Sequence, residues 1–149
     1  MKRSTPILAL ALAVAFGCAD ADSPRGFSLP AGDAARGQAT FVELHCHSCH
    51  TVDGVELPAP TGEPPIHVRL GGETTRVKTY GELVTSIIDP SHRLAPFHPL
   101  EEIAAPDGTS RMTVYNDVMT VTQLVDLVTF LESRYRLRPY APTDYPVLP

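Results

Sequence analysis

The segment Cys46-His47-Ser48-Cys49-His50 constrains this chain more than any other stretch. It reads C-x-x-C-H. Two intervening residues let one helical turn present both sulfurs on the same side. A histidine directly after the second cysteine is then carried beneath the edge that the sulfurs define. The pattern is the attachment signal for c-type haem, in which two thiols add across two vinyl groups and the histidine ligates the iron. Cys46 and Cys49 are therefore expected as thioether anchors and His50 as the proximal iron ligand, for one covalently attached haem c.

Two other uses of the pattern are weaker. A structural zinc site needs a second ligand pair. The only other cysteine is Cys18, and the remaining histidines are scattered singly. A thioredoxin-like dithiol would sit near a βαβ pattern, and none is visible.

The 149 residues suit one ordinary domain, since the first seventeen have the layout of a removable export signal. Lys2 and Arg3 open that signal, Ile7 to Phe16 is its apolar run, and Gly17-Cys18 closes it. Ala15-Phe16-Gly17-Cys18 resembles a bacterial lipoprotein box, which implies lipidation of Cys18 and an anchor at the membrane. The alternative is ordinary cleavage near Ala19 or Ala21, leaving a soluble periplasmic protein. Of 12 basic side chains, Lys2 and Arg3 fall in the signal, so 10 remain against 17 acidic ones, a charge of −7. That balance argues against nucleic acid as a partner and for protein partners. After the signal no apolar run is long enough for a transmembrane helix.

Residues 18–31 read as a polar tether, 32–138 as the domain and 139–149 as an extended Pro-rich tail. Asp33 is placed to cap a first helix, with Ala34, Gly37, Phe41 and Leu44 on one face. Gly37 inside that helix implies a close crossing by another. Thr51 to Gly72 is rich in Pro and Gly and reads as a loop with at most a short turn near Ile66 to Leu70. Thr79 and Glu82 form a capping box for a second helix that carries Tyr80, Leu83, Val84, Ile87 and Ile88 and stops at Asp89-Pro90. Ser91 to Thr109 reads as irregular. Thr120 and Gln123 form another capping box, for a helix with Val121, Leu124, Val125, Leu127, Val128, Phe130 and Leu131. Arg134, Arg136 and Arg138 are expected at its end, where cations suit the helix dipole.

With the haem motif after the first helix and an apolar helix closing the domain, the chain resembles class I cytochromes c from roughly Gly32 to Leu137. Gly37 and Phe41 match the family's first helix, and Leu127 and Phe130 its last. The resemblance implies an all-α fold of three main helices around the haem, with long Pro/Gly-rich loops. It implies a methionine as distal iron ligand. Met112-Thr113-Val114-Tyr115 fits the family's M-P-x-F/Y loop at Met and Tyr, so Met112 is the expected ligand and Met119 the alternative. Pro64 is the candidate whose carbonyl orients the proximal histidine. Tyr80, Arg69 and Arg93 are candidates for the haem propionates. His45, His47, His67, His92 and His98 are expected as surface residues, with bis-His ligation through His92 or His98 as the variant.

The function expected is that of a periplasmic, membrane-tethered mono-haem cytochrome c that carries single electrons between redox proteins and is not itself an enzyme. The alternative is a haem c subunit of a larger oxidase or dehydrogenase, which purification with a stoichiometric catalytic partner would reveal. A haem sensor or peroxidase would need an open distal site.

Overall fold

Three helices begin where a side-chain oxygen meets free backbone N–H groups. The computed structural model describes residues 27–62 and 66–139. Helix α1 spans Ala34–Glu43, and the Asp33 carboxylate accepts from the N–H groups of Ala35 and Arg36. Helix α2 spans Tyr80–Ile88, and its capping box joins Thr79 and Glu82 reciprocally. A short helix, α3, covers Leu100–Ile103. Helix α4 spans Val121–Glu132, with the capping box of Thr120 and Gln123 formed. Asp89 ends α2 before Pro90, as the proline's steric demand on its predecessor requires.

The all-α expectation is corrected. Among the described residues the four helices are joined by two small parallel sheets, a mixed α/β arrangement. Strand β1 (His50–Val52) pairs with β2 (Val68–Leu70), His50 opposite Val68. Strand β3 (Gly72–Thr74) pairs with β4 (Tyr135–Leu137), Gly72 opposite Tyr135. The physical reason lies in the stretch read as a loop. Its prolines exclude long elements but leave His-Thr-Val and Val-Arg-Leu free to extend, and branched side chains favour that. Gly71 and Gly72, with φ of 81° and 83°, turn the chain from β2 into β3. The segment after α4 is corrected too: Arg136 lies on β4 and Arg138 directly follows it, both beyond the helix end, and their guanidinium groups pair with Asp53 and Glu73.

The core is where α1 crosses α4. Phe41, Val128 and Phe130 are fully buried, and Leu83, Val84 and Ile87 of α2 close the cluster from another side. The rings of Phe41 and Phe130 meet edge-on with centroids 5.9 Å apart, a favoured aromatic geometry. Gly37 makes the crossing possible. A Cβ there would overlap the Asp126 carbonyl and lie 2.7 Å from the Phe130 Cβ.

One buried acid sits in this apolar contact. The Asp126 carboxylate accepts from Arg36 Nε at 2.7 Å and from the Asp33 N–H at 2.7 Å. It thereby ties α4 to the cap of α1. These partners hold the Asp126 carboxyl below the usual carboxylate range, the Arg36 bond first, with burial opposing them.

Candidate haem site

Helix α1 ends at the C-cap Leu44, and His45 follows in the left-handed region with φ 56°. This turn starts the 3₁₀ segment Cys46–Ser48, and the Cys49 N–H donates back to the Cys46 carbonyl at 3.2 Å. Both thiols are free and half-buried. His50 is the first residue of β1, so the sheet fixes the backbone that carries it.

The ring of His50 is held from both sides. Its Nδ1 lies 3.3 Å from the Val68 carbonyl, the residue paired with it across β1 and β2. With Nδ1–H donated to that carbonyl, Nε2 is the nitrogen free to bind a metal. The Phe41 ring stands 6.5 Å away, centroid to centroid. Burial pushes the His50 pKa below its ordinary value and so favours neutral imidazole, outweighing the Val68 bond, which acts in the opposite direction. Burial likewise pushes the Cys46 thiol up to about 11.

An apolar hollow brings these residues together with the far part of the chain. Cys46, His50, Met112, Tyr115 and Met119 line it, with Phe41, Leu44, Leu70, Leu83, Ser86, Ile87, Leu127 and Leu131. Its volume is about 90 Å³. That is smaller than a macrocycle, so it is the donor set and the apolar lining, not the size of the hollow, that suit a haem. Cys49 is not among the lining residues and stands at the C-cap of the 3₁₀ segment. A separate surface depression of about 470 Å³, between Leu94, Leu100, Ala104 and Arg111, shares no residue with the hollow.

Met112 and Met119 reach the hollow from one irregular segment ahead of α4. The Tyr115 hydroxyl donates to the Leu44 carbonyl, and Asn116 Nδ2 donates to the Ile88 carbonyl at 2.8 Å. The segment is thus fastened to the ends of α1 and α2.

The other expected site residues are elsewhere. Pro64 and Cys18 lie outside the described residues. The carbonyl found at His50 Nδ1 belongs to Val68, an acceptor that no sequence pattern marks because any residue supplies one. Tyr80 donates to the Phe27 carbonyl at 2.6 Å, Arg69 pairs with Asp53, and Arg93 lies 3.8 Å from Glu82. None of these three lines the hollow. His67 and His92 are exposed, and neither they nor His98 line it. His47 is half-buried, and its Nδ1 is buried without a hydrogen-bond partner.

The donor set fits a covalently held haem: a cysteine and a neutral imidazole beside it, two thioethers facing the same space, and apolar walls. Among the described residues no three His, Cys, Asp or Glu side chains converge as they would around a bare metal ion. No helix among them is long and apolar enough to cross a membrane. Comparison of the chain with protein-family models, with curated proteins and with solved structures returns no match.

Proposed function

We propose that the chain is a mono-haem c-type cytochrome, ligated by His50 and a methionine, that carries single electrons on the periplasmic side of a bacterial membrane. The observation that carries this reading is the convergence in one hollow of Cys46, His50, Met112 and Met119. Nothing in local sequence spacing requires residues so far apart to share a cavity. A thiolate-based use of the cysteine pair wants a lowered pKa, and burial moves Cys46 the other way. A neutral thioether suits that apolar position.

When bound, haem supplies a one-electron iron couple. The chain's residues do the rest. Cys46 and Cys49 hold the ring covalently. The Val68 carbonyl fixes the tautomer and plane of the His50 imidazole and raises its basicity. A methionine sulfur from the same hollow, from Met112 or Met119, would be the second protein ligand. Phe41, Leu83, Leu127 and Leu131 line the hollow with apolar side chains and would keep water from a bound ring, which would disfavour the more highly charged state of the iron.

Haem staining on a denaturing gel tests the reading. The wild-type band is expected, with loss in Cys46→Ser and Cys49→Ser. A wild-type chain without a band, or an unchanged band from the double variant, would overturn it.

A further inference from the structure

We propose that Met119 is a second thioether for the iron position served by Met112, and that it takes that position when the Met112 sulfur is absent. The inference rests on the haem reading above. Both methionines line the same hollow as His50, and both are half-buried. A packing position at 119 asks only for apolar volume, which leucine would supply. A sulfur there adds a soft donor that suits iron.

The two sulfurs hang from unlike supports. Met112 belongs to a stretch whose flanking residues, Arg111 and Thr113, are exposed. Its N–H donates to the Ser110 hydroxyl at 3.1 Å, and the Arg111 N–H donates to the Ile103 carbonyl at 2.9 Å. Met119 directly precedes Thr120, the cap of α4, and its N–H donates to the Tyr115 carbonyl at 2.8 Å. It also packs against the core cluster. Met119 thus starts from a backbone position fixed by a core helix. Three rotatable bonds give its sulfur latitude within the hollow without a backbone shift. A donor tethered there competes as an intramolecular ligand, with an effective concentration on the order of millimolar or more. Loss of the Met112 sulfur therefore does not open the iron to outside ligands.

Four forms of the haem-loaded full chain decide it: wild type, Met112→Ala, Met119→Leu and the double variant. Two readouts are taken, the weak far-red charge-transfer absorption of a thioether on ferric iron and CO binding by the ferrous form. Haem staining is scored first, so that a wild type without haem rejects the functional reading itself. Wild type and Met119→Leu are expected to carry the band and exclude CO. Met112→Ala is expected to keep the band at a shifted wavelength and still exclude CO. The double variant is expected to lose the band and bind CO. Met112→Leu, which keeps the volume, replaces the alanine variant if that one fails to take up haem. Band loss with CO binding in either Met112 variant alone would overturn the inference. So would CO binding by Met119→Leu alone, or a band that survives in the double variant.

Discussion

The Tyr115 hydroxyl donates to the Leu44 carbonyl across 2.5 Å and so joins the methionine segment to the end of α1, two residues before Cys46. Both residues line the hollow. Tyr115→Phe keeps the ring and removes the bond, leaving the carbonyl without that donor. Stability should fall by about 1 kcal/mol, which for a domain of this size lowers Tm by roughly 4–8 °C. In the haem-loaded chain, imidazole should displace the methionine at lower concentration than in wild type. Thermal unfolding and an imidazole titration check this, and two unchanged curves would show that the bond carries nothing.

Gly37 is expected to be the least substitutable position of α1. In an exposed helix Gly→Ala would stabilise. Here the added methyl overlaps the Asp126 carbonyl, so α4 must move off α1. Gly37→Ala should destabilise the fold, whereas Ala35→Gly, on the exposed side, should cost only about 1 kcal/mol. Denaturant midpoints for the two variants give the comparison. A Gly37→Ala chain as stable as wild type would mean that the crossing is looser than described.

Asp126 makes stability depend on acid. Its folded-state pKa is held below the ordinary value, by the Arg36 bond first and the Asp33 N–H second. A depressed pKa contributes stability that is present above the unfolded value, about 3.9, and is lost as pH falls through the folded one. Asp53, Glu82 and Asp107 are shifted in the same direction, Asp53 mainly by Arg69 and Arg136. Stability should therefore decline below about pH 4. Asp126→Asn should be less stable at pH 7 and lose less on going to pH 3. Equal slopes for the two proteins in urea unfolding across that range would refute the assignment.

The proposed anchor has its own check. If Cys18 is lipidated, wild-type protein should partition into detergent, and Cys18→Ala should yield uncleaved precursor or soluble material. Wild-type protein recovered from the aqueous periplasmic fraction with an N-terminus at Ala19 or beyond would exclude the lipid.

What was legible in the sequence is what local spacing decides. Asp33, Thr79 and Thr120 announce helix starts because each side chain caps N–H groups two or three residues ahead. Gly37 announced a close crossing because glycine inside a helix is otherwise costly. The sheets were illegible. Three residues are too few to display a period, and Tyr135–Leu137 acquires its extended form only by pairing with Gly72–Thr74 far back in the chain. The all-α expectation came with the resemblance to class I cytochromes c, and the Pro- and Gly-rich stretches carried no signal strong enough to oppose it. In the site, Cys46, Cys49 and His50 were legible as a contiguous motif. The Val68 carbonyl was not, since a backbone acceptor carries no residue signature. Nor could spacing show that Met112 and Met119 face one space. The buried Asp126 also escaped notice, because an acid on an apolar helix face is placed by Arg36, far away in the chain.

The hollow draws its walls from Phe41 at one end of the domain and Leu131 at the other. It therefore has no existence until the last helix arrives. A chain that emerges N-terminus first presents Cys46 well before Leu127 and Leu131 are available to wall the hollow beside it. The thiol is then most open to a modifying enzyme while folding is incomplete, and the docking of α4 shuts that interval. Order of assembly thus governs how openly Cys46 is presented. In haem-free protein, alkylation of Cys46 should be slower in the full chain than in one truncated after Met119.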